Sequence, residues 1–395
     1  MSETPHPVED MPEEIPSETT ERSESRQLEW IDERESILLA PYAMHSADSK
    51  GRAYPESEHP YRGPFQRDRD RILHSSAFRR LRGKMQVFTG EMGDYHRTRL
   101  THTQEVATIA RTIGRVLMLN EDLIEALALV HDIGHPPYGH AGEDELDECI
   151  KDLGGFSHNQ FALTIVQELE VVYPEFPGLN LTHEVLTGQT ARVDKDAAGP
   201  RPLLEVQLVD AADSTTYDAH DTDDAIKLGL VSMDEMAELE LVGRCLKYAR
   251  ENFAALDEKL MRRAVVHRLI NIQVTDMLTR NAAELQDRGF ESASQAMESD
   301  FLIGPGKEMG EQKRELESFL YERVYRHPDL VEIRNRAQSR LRECYEVLSS
   351  DIEFFPGKYQ PRAREIGCRK MAVEYIAGMT DNFFEQTYRR LTGKN

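Results

Sequence analysis

The chain has 395 residues, 39% hydrophobic and 30% charged, enough for a sizeable core in one large domain with an appendage. Its formal charge of −23 argues against a generic basic face that coats nucleic acid, and it requires local positive charge wherever an anionic substrate binds. Cys149, Cys245, Cys344 and Cys368 show no CxxC spacing, so neither a zinc ribbon nor a disulfide framework is expected and the thiols read as reduced.

Residues 1–27 read as a disordered tail. The first 25 residues hold eight acidic residues, four prolines and one arginine, too little apolar area to offset the entropy of ordering. The start lacks a signal-peptide pattern and no stretch has the apolar length of a membrane span, so a cytoplasmic protein is expected. Without secretion, the sequon Asn180-Leu181-Thr182 carries no meaning.

Arg62, Arg67, Arg69, Arg71, Arg79, Arg80, Arg82 and Lys84 then form a positive island against two aspartates. The island is open to two readings: salt bridges to the acidic surface, or a phosphate-binding wall. From Leu100 the apolar residues recur at three- and four-residue steps: Val106, Ile109, Ala110, Ile113; then Leu123, Ile124, Leu127; then Phe161, Ile165, Leu169; then Leu203 to Ala212. That period predicts an all-α fold. Residues 187–201 read as a surface loop. The expected organisation is a core over 28–290 and a helical C-terminal region over 291–395, without internal repeats.

The densest chemistry lies in HDIGHPPYGHAGE, residues 131–143. His131-Asp132 end an amphipathic helix that Gly134, Pro136 and Pro137 then break. An imidazole beside a carboxylate suits a divalent Mn, Fe, Co, Ni or Zn ion, and such a site takes about four ligands, or fewer with water. His102 is the next candidate. A distant acidic ligand is expected from LLEVQLVDAADSTTYDAHDTDD, where spacing leaves Asp210 and Asp213 both open. Asp213, Tyr217 and Asp221 stand at i, i+4, i+8, along one helix face.

Taken in order, FQRDRDRILHSSAFRRL, RTRLTHTQEV, HDIGHPPYGHAGE, GGFSHN, QLVDAADSTTYDAHDTDD, YRHP and AGMTDNF resemble the HD-domain deoxynucleoside triphosphate triphosphohydrolases from about Leu39 onward. The resemblance implies a helical HD core and metal-dependent release of triphosphate from a deoxynucleoside triphosphate (dGTP or another dNTP), by water attack at the α-phosphorus. It implies four metal ligands, His102, His131, Asp132 and Asp213, thereby choosing Asp213, with Mg joining the candidate ions. His135, His140, Glu143 and His158 would surround the scissile phosphate, His140 and Glu143 handling protons. Gln86 and Arg99 would contact sugar and phosphates, and Tyr217 and Asp221 the deoxyribose. The resemblance also implies a homo-oligomer and an allosteric nucleotide; a basic groove between subunits leaves weak single-stranded DNA binding open despite the net charge, and with no apolar span no membrane partner is expected. Ser157 and Gln104 depart from the family's usual residues and bear on fine specificity only.

Overall fold

The computed structural model describes residues 30–86, 97–194, 199–253 and 256–394; the expected tail lies outside them. Among the described residues there is no strand, only three isolated backbone bridges, and no helix is long and apolar enough to cross a membrane. The all-α expectation holds.

Helix α1 (Pro64–His74) starts with proline in its first turn, where the missing N–H costs nothing. Helix α2 (Arg99–Val116) is opened by a capping box between Thr98 and Thr101 and buries Val106, Ala110 and Ile113. Asn120 caps α3 (Glu121–Val130) by accepting from the Leu123 N–H at 3.2 Å. Every residue of α3 from Ala126 to Val130 is buried, as expected for a helix enclosed nearly all round. The α2–α3 approach is close: a Cβ on Gly114 would lie 2.3 Å from the Ile124 Cδ1.

Short helices α4 (His140–Cys149), α5 (His158–Thr164) and α6 (His183–Val193) follow. The last corrects the surface loop expected over 187–201, because the chain stays helical through Val193. Thr, Gly and Arg give weak helical preference, and packing overrides it. Val185 and Gly188 are buried, and a Cβ on Gly188 would meet Leu127 and Val206 at 2.6 and 2.8 Å.

Helix α7 (Leu204–Lys227) and helix α9 (Glu258–Arg288) each run through two apolar clusters. Leu204, Val206, Leu208 and Ala212 of α7 belong to the larger cluster, with Val106 and Leu127. Ala219 and Ala225 belong to the smaller one, with Leu246 of α8 (Glu240–Asn252) and Leu316 of α10 (Lys307–Leu320). The polar stretch of α7 from Asp213 falls between the two. Helices α11 (Pro328–Ser350), α12 (Cys368–Ala377) and α13 (Asp381–Thr392) add Leu341, Ile376 and Phe384 to the larger cluster, and α11 packs against α4.

Most of the positive island is structural. Arg69 pairs with Asp70, Asp122 and Glu125, and Arg62 with Asp70. Arg71 forms a fork on Glu56 and donates to the carbonyls of Leu179 and Asn180. Arg80 lies 3.5 Å from Glu170. Lys84 is buried, donating to the carbonyls of His135 and Ala377. The salt-bridge reading therefore holds for Arg62, Arg69, Arg71 and Arg80, while Lys84 is held by backbone carbonyls instead. The four cysteines are all free thiols.

Candidate active site

The first turn of α2 presents His102, the residues just after α3 present His131 and Asp132, and the polar middle of α7 presents Asp213. His102 Nε2 lies 3.0 Å from Asp213 Oδ1. His131 Nε2 lies 3.8 Å from the same oxygen and 3.5 Å from Asp132 Oδ1. The His131 Nδ1–H donates to the Ala128 carbonyl at 2.6 Å. A carbonyl can only accept, so the neutral ring carries its lone pair on Nε2. That nitrogen is buried and has no hydrogen-bond partner among the described residues. A buried lone pair without a donor is costly, and two imidazoles with carboxylates fit a divalent cation. The donor atoms of His102, His131 and Asp213 all lie within 4.8 Å of one another.

Asp132 is held in place on both oxygens: Arg99 Nη1 donates to Oδ2 at 2.9 Å, and His135 Nδ1 lies 3.0 Å from Oδ1. Burial alone would raise its pKa, but His135, His131 and Arg99 hold it well below the usual carboxylate range. Asp213 is likewise lowered against burial, by His131, His102 and Arg192. Asp210 behaves differently: it pairs with the Arg192 guanidinium. Of the two acids that spacing left open, Asp213 is the one brought against the histidines.

A second cluster forms beside the first. His135 stacks on His158 at 3.7 Å between ring centroids, 26° from parallel. Burial, Arg99 and His158 depress His135 well below the usual imidazole range. Glu143 Oε1 accepts from the His158 Nδ1 at 2.7 Å and from its backbone N–H at 2.9 Å, while Oε2 lies 3.3 Å from the His140 Nδ1. The expected His140–Glu143 pair is thus a trio in which Glu143 holds His158 more closely. Burial opposes the ionised form of Glu143, yet hydrogen bonds from His140 and His158 hold it well below its ordinary value.

The backbone explains how thirteen residues serve both clusters. Tyr138 and Gly139 have φ of 63° and 59°, so the chain reverses after the two prolines and starts α4 at His140. A Cβ on Gly134 would lie 2.0 Å from the His158 carbonyl oxygen, so α5 packs directly on this turn. From the far end of the chain, the buried Asp381 carboxylate accepts from the Tyr138 N–H at 3.2 Å and the Met85 N–H at 2.9 Å. Burial pushes Asp381 up to about 6. Asp381→Ala leaves both donors without their acceptor and is expected to cost about 1–3 kcal/mol, read as a lower urea midpoint at unchanged slope.

A cavity of about 340 Å³ opens here. Its walls include Gln86, Arg99, Arg192, Tyr217 and Asn159, together with His102, Asp132, Asp213 and the histidines 135, 140 and 158. His131, Glu143 and Asp221 sit behind the wall. Tyr217 and Asp221 are joined by a residue that spacing did not reveal: the Tyr325 hydroxyl donates to Asp221 and shares a 2.5 Å hydrogen bond with the Tyr217 hydroxyl. Tyr325 ends a π-helical turn, Tyr321–Tyr325, a form found often at functional positions. It is the first residue of the YRHP segment, which was the one available signal. Arg192 was hidden in the stretch read as a loop, and Asn159 stands beside His158 in GGFSHN.

A helical chain that closes a His-Asp pair with a histidine and an aspartate from two other helices has the make-up of an HD-domain phosphohydrolase. Residues 99–218 match the HD domain model and residues 303–390 match the phosphohydrolase-associated domain. The chain belongs to the deoxyguanosinetriphosphate triphosphohydrolase-like family. It is 39% identical to the protein of that name from Thiobacillus denitrificans and 39% identical to that from Nitrosomonas europaea, in each case over 89% of this chain and 97% of the relative. The Caulobacter sp. relative is 40% identical, over 90% and 96%. The chain is accordingly a hydrolase with a metal-binding HD site.

Proposed function

We propose that this hydrolase cleaves deoxynucleoside triphosphates, dGTP or another dNTP, to the deoxynucleoside and intact triphosphate, with water attacking the α-phosphorus. The observation that carries this reading is the buried, partnerless His131 Nε2 beside His102, Asp132 and Asp213, opening on a cavity that also holds Arg99 and Arg192. The relatives' printed name supplies the substrate class.

His102, His131, Asp132 and Asp213 would hold the divalent ion (Mn, Mg, Fe, Co, Ni or Zn). A bound ion of this kind polarises a phosphoryl oxygen and offsets charge at the reacting phosphorus. Arg99 and Arg192 supply the guanidinium charge that an acidic chain must concentrate locally for a triphosphate. His135, its Nδ1 facing Asp132, donates to a phosphate oxygen from its Nε2, partnerless among the described residues, when the ring is an imidazolium. His158 does the same from the stacked ring, its Nδ1 fixed by Glu143. His140, half-exposed at the cavity, exchanges a proton with the attacking water or the leaving 5′-oxygen. Glu143 orients it and stabilises the imidazolium. Tyr217 packs on the sugar where a 2′-hydroxyl would stand, and Asp221, behind the wall and joined to Tyr217 through the Tyr325 hydroxyl, backs the deoxyribose side of the cavity. Gln86 completes the wall. The same reading includes a homo-oligomer, an activating second nucleotide and weak single-stranded DNA binding.

The test is to incubate the protein with each dNTP, singly and in mixtures, and with GTP, in Mn²⁺ or Mg²⁺. Triphosphate and deoxynucleoside are expected, with GTP cleaved poorly. Release of pyrophosphate or single phosphates overturns the α-phosphorus assignment. Higher turnover in mixtures than in single substrates reveals the second nucleotide.

A further inference from the structure

We propose that His220 and Glu105 form a proton-ordering relay that sets the tautomer of His102 and so tunes the metal site. The proposal rests on the metal-site reading above.

His220 is 1% exposed and stands seven residues after Asp213 on α7, two turns on and on the same face. Glu105 stands three residues after His102 on α2, also on the same face. The two packed helices therefore each carry one expected ligand and one further residue behind it. His102 Nδ1 lies 3.3 Å from His220 Nδ1, and His220 Nε2 bonds the Glu105 carboxylate. His220 and Glu105 are absent from the cavity wall.

Two imidazole nitrogens in contact need one donor and one acceptor. Glu105 can only accept, so it draws the His220 proton to Nε2. The neutral ring then has its lone pair on Nδ1. That lone pair accepts from the His102 Nδ1–H. His102 is left with its lone pair on Nε2, the atom facing Asp213 at 3.0 Å. The chain carboxylate–imidazole–imidazole thus delivers His102 in the tautomer a ligand needs. His131 reaches the same tautomer by a shorter route, its Nδ1–H donating to the Ala128 carbonyl. Outer partners of this kind orient a ligating histidine and raise its basicity, and losing one costs about 10–100-fold in metal affinity. His220 and Glu105 are positioning residues: they act on the reaction only through His102.

Titration of the metal-free full-length protein with Mn²⁺ by calorimetry tests this. His220→Phe keeps the ring's bulk and removes the acceptor; the Kd is expected to rise about 10–100-fold. His220→Gln can turn its amide oxygen to the His102 N–H and is expected to stay within about threefold of wild type, as is Glu105→Gln, whose oxygen still accepts. Glu105→Leu, at a half-exposed side chain, is expected to weaken binding about tenfold, and it decides the matter alone if His220→Phe does not fold. A wild-type Kd in His220→Phe or Glu105→Leu overturns the relay, as does equal weakening by His220→Phe and His220→Gln, which would mark a packing effect. Asp213→Ala is the control: if it still binds Mn²⁺ as wild type does, the metal-site reading itself fails.

Discussion

Asp213→Ala is expected to lower triphosphate release on the order of 10³-fold, the equivalent of about 4 kcal/mol of transition-state stabilisation, and to abolish Mn²⁺ binding. The carboxylate is the only group in the cluster that reaches both ring nitrogens, at 3.0 Å from His102 Nε2 and 3.8 Å from His131 Nε2. Its removal leaves two imidazoles and Asp132, with no anion at the point where the two rings converge. Arg192, 3.7 Å from its other oxygen, would then add unbalanced positive charge beside the vacated position, further opposing a cation. Asp210→Ala is the informative contrast. Asp210 lies three residues away on the same helix and carries the same charge, but its partner is Arg192, at a partly exposed pair worth about 1 kcal/mol. Its activity is expected to stay within about tenfold of wild type, with Mn²⁺ stoichiometry intact. Circular dichroism melts establish that both variants fold. Equal loss in the two variants would mean that general negative charge, and not ligation by Asp213, sustains the activity.

That contrast also marks where sequence reasoning stopped. Helices were legible because their signal is local: the 3.6-residue recurrence of Val106, Ala110 and Ile113, or the apolar run Ala126–Val130 of α3, is visible without knowing the partner. The His131-Asp132 pair was legible because a helix end, two prolines and a glycine confine it. Asp210 and Asp213 were indistinguishable by spacing, and the distinction comes from the fold: Asp213 meets His102 and His131, while Asp210 is paired with Arg192 of α6. That helix was itself missed, since its fold depends on Gly188 packing against Leu127 and Val206. The arginine island failed as a phosphate wall for the same reason. Its counter-charges, Glu56, Asp122, Glu125 and Glu170, are scattered along the chain and meet the arginines only through the fold. Tyr325, His220 and Glu105 carry no motif signal strong enough to assign a role, because each acts by touching a residue roughly a hundred positions away.

His140→Ala is expected to reduce kcat about 10²–10⁴-fold, the usual contribution of a positioned acid–base group, while leaving Mn²⁺ affinity as in wild type. This separation follows from geometry. His140 is the exposed member of its cluster, with 59% of its side chain accessible, and it touches none of the four expected ligands. Glu143→Gln should do at least as much damage. Its two oxygens take hydrogen bonds from the His158 Nδ1 and backbone N–H as well as facing His140, so a neutral amide there loosens two histidines at once. Because those contacts hold Glu143 ionised well below its ordinary range, the carboxylate stays charged as pH falls through the usual glutamate value. Glu143 itself is therefore expected to contribute no acidic limb to the wild-type kcat profile over the usual glutamate range. The double variant is the decisive measurement. Residues that act as one unit are strongly non-additive, so His140→Ala with Glu143→Gln should fall little below Glu143→Gln alone. Multiplicative losses would assign the two residues to separate tasks, and a His140→Ala kcat within tenfold of wild type would remove His140 from the proton transfer altogether.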